Sequence, residues 1–145
     1  MTRLLDKDLL VLLCRLLMSV CMIRYGAAKL IDIDLFVNHV TTRRFMELVA
    51  RGAPAPLWFA YANALFQTAA GLCVLIGFRA RVAAGLLVVW LAVLTFVGHP
   101  FWRLSGGDAL LNESLFYRNL GLLAAFLLIV AHGAGRWAVD ATDRK

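Results

Sequence analysis

Four apolar blocks, roughly 9–25, 57–76, 82–97 and 115–131, dictate how this chain can fold. A hydrocarbon core about 30 Å thick takes around 20 helical residues to cross, with ~17 tolerated, and each block reaches that length with its flanks. Lipid offers no partner to exposed backbone N–H and C=O groups, so each block must satisfy its own, as a helix does. Strand-like alternation is absent from all of them. The expected fold is an all-α membrane protein, a four-transmembrane-helix bundle, with residues 1–145 forming a single domain.

Composition agrees with this reading. Hydrophobic residues make up 62% of the chain and charged residues 17%, whereas soluble chains are about half apolar and about a quarter charged. A net charge of +6 would point a soluble chain towards nucleic acid. Here the arginines and lysines lie mainly between the blocks, where they anchor helices to headgroups, and no basic run is interleaved with aromatics. The expected surroundings are therefore a lipid bilayer, with no nucleic acid as partner. The opening "MTRLLDKDLL" has two cations before an apolar run but also two acids and no small-residue cleavage site, so it reads as a retained first helix. Cys14, Cys21 and Cys73 fall inside apolar runs without a C-x-x-C, which argues against a disulfide framework, a zinc site or a thiol-exchange centre. His99 and His132 end the third and fourth blocks on opposite sides, about 30 Å apart, too far to share a haem iron. No metal site is expected.

The connections differ in kind. "GFRAR" is a tight hairpin, and "GHPFWRLSGGDALLNES" is rich in glycine and broken by Pro100. Within 31–56, Phe36, Val37, Val40, Phe45, Leu48 and Val49 recur at helical spacing among Asn38, His39, Arg43, Arg44 and Glu47. That pattern predicts an amphipathic surface helix in the first loop, ended by "GAPAP". Four crossings put both termini and "GFRAR" on one side. Basic residues are nearly balanced between the two sides, but the compact clusters abutting helix ends favour cytoplasmic N- and C-termini.

The polar residues inside the blocks carry the functional question. An ionised side chain at membrane depth costs about 2.5–3.5 kcal/mol on insertion scales and so faces a bundle interior. Arg15, Met18, Met22, Gly26 and Lys29 share one face of the first helix, with Arg24 opposite. Counted from an outer end near Gly26, Arg15 lies roughly 16 Å down. Counted from Leu57, Gln67 lies roughly 15 Å down and Asn63 about 9 Å, while Asn119 is about 6 Å below the outer end of the fourth helix. These depths predict a polar ladder, with Gln67 as the hydrogen-bond partner of Arg15. Arg15 either locks helices together or lines a ligand or ion site. "GHPFW" puts His99, Phe101 and Trp102 at the outer interface near Tyr117, as an anchoring belt or as a flat pocket suited to a quinone ring.

The chain resembles the DoxX family of small four-helix bacterial membrane proteins over nearly its whole length. The resemblance rests on "LLCRLL" followed by "YGAAKL", on "GLCVLIGFRARVAAGLL", on "GHPFW", on "FYRNLGLLAAFLL" and on the closing "GRWAVD". It implies a bacterial inner-membrane protein with cytoplasmic termini. It also implies links to a thiosulfate:quinone oxidoreductase and to membrane complexes handling oxidative and thiol stress. Many relatives carry an acidic residue in the second helix, within a pattern like "E-x-x-G-G", where "FQTAAGL" here has Gln67; a neutral amide relays no proton as a carboxylate does. The expected function is the membrane subunit of a quinone-linked redox complex. The alternatives are a non-enzymatic scaffold subunit or a small-molecule permease. Candidate site residues are Arg15, Lys29, Asn63, Gln67, His99, Trp102 and Asn119, with quinone as ligand and other membrane or redox subunits as partners; a homo-oligomer is left open.

Overall fold

The structure, a computed structural model, describes residues 6–142. Four long helices are apolar enough to cross a membrane: α1 (Lys7–Ile31), α4 (Leu57–Ile76), α5 (Ala80–Gly98) and α6 (Gly106–His132). Short helices α2 (Ile33–Asn38) and α3 (Val40–Ala50) fill the first loop, and α7 (Val139–Thr142) follows α6. A single 3₁₀ turn, Phe101–Arg103, leads from α5 towards α6. The first helix starts under an Asp6 cap and runs well past Gly26, and α6 begins nine residues before the fourth apolar block. Both extensions interleave polar and small residues with a few large apolar ones (Leu30 and Ile31, Leu110 and Leu111), so a hydropathy count leaves them out.

The bundle is packed as lipid requires. Its most extensive contacts pair α1 with α4 and α5 with α6, and α4 meets α5 across the hairpin. Met18, Met22, Val74, Leu87, Leu91 and Phe126 form the interior, while Leu17, Val20, Leu86, Val89 and Leu128 point outward. Apolar side chains gain little by leaving lipid, so close approach and dispersion contacts hold the helices together. Gly26 shows how close. A Cβ there would collide with Thr68 Oγ1 and come within 2.9 Å of the Thr68 backbone nitrogen.

Arg15 joins the ends of three elements. Its side chain is 1% exposed. Nε donates to Val74 O (3.0 Å) and Nη2 to Leu75 O (2.6 Å), the carbonyls of the last turn of α4. Nη1 donates to Ala134 O (2.7 Å) and Trp137 O (3.0 Å), in the turn after α6. A helix's final carbonyls have no partner within it and carry the negative end of its dipole, so a planar cation with several donors fits there well. Gly77, at φ +77°, completes the junction: a Cβ would press on Ala138 and lie 3.0 Å from Arg15 Nη2. Asp140 then caps the next helix, accepting from Arg79 N (2.8 Å) and Ala80 N (3.1 Å). The predicted Arg15–Gln67 pair is not made. The Arg15 partners lie two turns further along α4, about 10 Å beyond Gln67.

At the opposite end the predicted surface helix comes in two pieces. His39 is extended (φ −64°, ψ 141°) between α2 and α3, and its Nδ1 accepts from Thr41 N (3.3 Å). That break lets α3 fold across the end of α5. Thr41, Thr42 and Met46 are buried, and a Cβ on Gly98 would collide with Thr41 Cγ2. Arg44 Nη1 fixes the crossing by donating to Gly98 O (2.8 Å) and Asn112 Oδ1 (3.2 Å).

Two outcomes follow from these junctions. Arg15→Met should destabilise the protein by about 3 kcal/mol, since charged hydrogen bonds contribute about 1.5–3 kcal/mol each and water recovers some of the freed carbonyls. Arg15→Lys should rescue only part of that loss, because three ammonium donors cannot reach four carbonyls in a fork; thermal unfolding in detergent measures both. His39 is held below the usual imidazole pKa by burial first, then by the Lys29 and Arg44 cations. A depressed folded-state pKa contributes stability that is complete above about 6.5 and lost as pH falls, because the unfolded chain binds the proton more readily. Protonation also turns the Nδ1 acceptor into a donor and removes the α3 cap. Hydrogen exchange in 40–50 should therefore quicken on acidification, and His39→Asn, which keeps a capping acceptor, should flatten that pH dependence.

Candidate functional site

Lys29 occupies the last turn of α1, where its ammonium turns under α2 rather than into water. Nζ donates to Gln67 Oε1 (2.7 Å) and to Asn63 Oδ1 (3.2 Å), both on the inner face of α4. It also lies 4.6 Å from the centroid of the Phe36 ring and 5.1 Å from that of Trp90. Two amide dipoles and two π faces stabilise the charge, and no carboxylate among the described residues pairs with it. Gln67 is 2% exposed, and its amide nitrogen reaches only the Met22 sulfur, at 3.9 Å. The charges acting on His39 and His99 are likewise positive, coming from Lys29, Arg44 and Arg118.

Beside this cation is a cavity of about 210 Å³ bounded by α2, α3, α4 and α5. Phe36, Phe45, Phe59 and Trp90 supply aromatic walls, and Phe45 and Phe59 stack at 5.6 Å with their planes 9° apart. Thr41, Thr42 and Asn63 are the polar side chains in the lining. Among the described residues neither threonine hydroxyl has a hydrogen-bond partner, and Asn63 uses only its oxygen, on Lys29. Thr42 is 4% exposed. Ser19 Oγ is the one fully buried side-chain polar atom without a partner among the described residues, so the threonine hydroxyls keep access to the cavity, where a ligand can make the bond they lack. The arrangement is suited to a flat, mainly apolar ring bearing hydrogen-bond acceptors.

The structure distributes the sequence candidates over several places. Lys29, Asn63 and Gln67 come together. Arg15 is at the other end of the bundle, for a reason that can be measured along the helix: counted from Ile31, the true end of α1, it lies about 24 Å down. His99 is buried, with Nδ1 3.1 Å from Asn112 Oδ1, under the α3 crossing but outside the cavity lining. Trp102 is 53% exposed and belongs to a cluster with Phe101, Phe116 and Tyr117. Asn119 is buried on α6 and does not line the cavity either. Thr41, Thr42, Phe59 and Trp90 were not singled out in the sequence, and Phe45 was read only as part of the amphipathic pattern. The one local signal was the Thr-Thr pair on the inward face of the amphipathic segment.

Comparison with known proteins agrees with this architecture. The DoxX family profile matches residues 10–100, well over half of the chain. The chain is similar to inner membrane protein YphA of Escherichia coli (strain K12), with 25% identity over 134 residues, covering 92% of this chain and 90% of that protein. No solved structure matches it. The matched segment contains all but the first three residues of α1, and the whole of α4 and α5, together with Lys29, Asn63 and Gln67, and on that match the chain belongs to the DoxX family of multi-pass membrane proteins.

Proposed function

We propose that this protein is the membrane subunit of a quinone-linked redox complex in the bacterial inner membrane, and that the quinone ring docks in the cavity between α3 and α4. The observation that carries this reading is the lining: aromatic walls with unpartnered Thr41, Thr42 and Asn63 groups and an uncompensated Lys29 behind them. One quinone carbonyl accepts from Asn63 Nδ2. The Asn63 oxygen is already bound to the Lys29 ammonium, and such a chain polarises the amide and strengthens its N–H as a donor. The second carbonyl accepts from a threonine hydroxyl. Lys29 thus favours the extra electron density that a quinone gains on reduction. Reduction to the quinol takes two electrons and two protons; the electrons come from a partner subunit, because the chain has no flavin or nucleotide fingerprint, and the protons come from water at that end of the bundle. The inner-membrane setting is supported by the likeness to YphA. With the termini in the cytoplasm, the cavity lies towards the outer leaflet.

Binding of a short-chain quinone analogue to the purified protein, followed by tryptophan quenching, tests the site. Thr42→Val and Asn63→Leu should each weaken binding by about tenfold, the equivalent of one hydrogen bond of about 1.4 kcal/mol. Trp102→Phe should leave it unchanged. Equal affinity in all three variants refutes the docking site. Mass spectrometry of the protein extracted in mild detergent tests the wider role. A co-purifying oxidoreductase that reduces quinone supports it, and a stoichiometric complex without redox activity replaces it with a scaffold role.

A further inference from the structure

We infer that the terminus end of the bundle holds a binding site for the phosphate of an anionic phospholipid, formed by Arg79 and Arg81. A cavity of about 640 Å³ opens there between the α4–α5 hairpin and the turn after α6. Its charged lining consists of Arg79, Arg81, Arg136, Asp8 and Asp140, with His132 beside them. Both carboxylates are already engaged. Asp140 caps α5 through the Arg79 and Ala80 amides, so the helix N-terminus is itself filled. Asp8 accepts from the Arg136 amide at 3.2 Å and lies 3.7 Å from its Nε, and Asp6 takes Nη2 at 3.0 Å.

Two guanidinium groups remain. Among the described residues the Arg79 and Arg81 side chains make no hydrogen bond or ion pair. Arg81 is nevertheless positioned. Its guanidinium lies over the bare face of Gly133, where a Cβ would sit 3.1 Å from Nε and 3.4 Å from Nη2. A planar fork held in place with its donors unused is suited to bidentate recognition of phosphate oxygens.

A second feature identifies the phosphate as a lipid's. Val82 lines the cavity, and Leu86, Val89 and Val93 continue from it along one outward stripe of α5. Those four side chains are 61%, 54%, 65% and 44% exposed. An acyl chain can follow that stripe into the bilayer while its headgroup phosphate stays on the arginines. A free phosphate uses the cations and leaves the stripe unread. Basic pockets between membrane helices commonly select anionic headgroups in this manner.

Electron spin resonance of spin-labelled phosphatidylglycerol and phosphatidylcholine in reconstituted vesicles measures the preference directly. The intact protein should favour phosphatidylglycerol, and the preference should fall as salt is raised. Arg79→Gln with Arg81→Gln should reduce that preference by about tenfold, whereas Arg103→Gln, at the far end of the bundle, should leave it unchanged. A doubly substituted protein that unfolds leaves the salt titration and Arg81→Lys, which keeps the charge, to decide. The inference is overturned if the intact protein shows no headgroup preference or if the double variant retains it. It is also overturned if inorganic phosphate, added at constant ionic strength, displaces the phosphatidylglycerol, for the site then serves a free anion.

Discussion

Hydrocarbon accepts no unpaired cation, and this protein meets that constraint at Arg15 by bonding the guanidinium to four main-chain carbonyls. Neutral carbonyls succeed in place of a carboxylate because two of them, on Val74 and Leu75, are the orphan acceptors of a helix end and already carry partial negative charge. The consequence reaches beyond α1. The last turn of α4 and the chain after α6 are tied to one side chain, and that placement lets α7 bring Asp140 under the start of α5. The hairpin, the C-terminal turn and the first helix therefore form a single junction. Replacing Arg15 disturbs all three together, which distinguishes it from the pairing of Arg136 with Asp6 and Asp8, whose guanidinium is largely solvated and contributes little.

How much of this was legible in the sequence depends on whether the information was local. The four crossings were legible because lipid imposes length and apolarity on each segment separately. The inward face of α1 was largely legible too: Arg15, Met18, Met22 and Gly26 are four of its five buried residues, and Ser19 is the fifth. Register between helices was not. The sequence reading ended the first helix where cations and small residues interrupt the apolar run, but the helix continues to Ile31. Moving that end by five residues moves every depth along α1 by about 7.5 Å and leaves those along α4 unchanged. That displacement put Arg15 beside Gln67 on paper, when the cation at that height is Lys29.

The cavity was the least legible part, because it depends on a fold-back rather than on any one segment. An amphipathic helix lying flat on a bilayer turns Thr41 and Thr42, on its inward face, towards lipid. Broken at His39 and laid across Gly98, the same residues face Asn63 and Trp90. Such a crossing needs a close approach at one glycine and an arginine that reaches the end of a neighbouring helix, and neither has a periodic signature. Trp102, by contrast, read as an anchoring aromatic or as one wall of a flat pocket, packs among rings of its own loop and α6.

The two buried cations of α1 show why the ends of the bundle differ in what they can do. Arg15 directs four of its five N–H donors at fixed carbonyls, so a ligand could take that cation only by breaking the junction. Lys29 is held by two side-chain amides and two rings. A carboxylate at position 67 would neutralise that ammonium outright and form a closed pair with it. The glutamine hydrogen-bonds it and leaves the net charge in place, in surroundings where other nearby charges, Arg44 and Arg118, are positive as well. A positive potential facing an apolar cavity is poorly screened, and it favours any occupant that can bring or develop negative charge. A glutamine rather than a carboxylate at position 67 thus keeps a net positive charge beside the cavity, which suits the electron-accepting ring proposed to dock there.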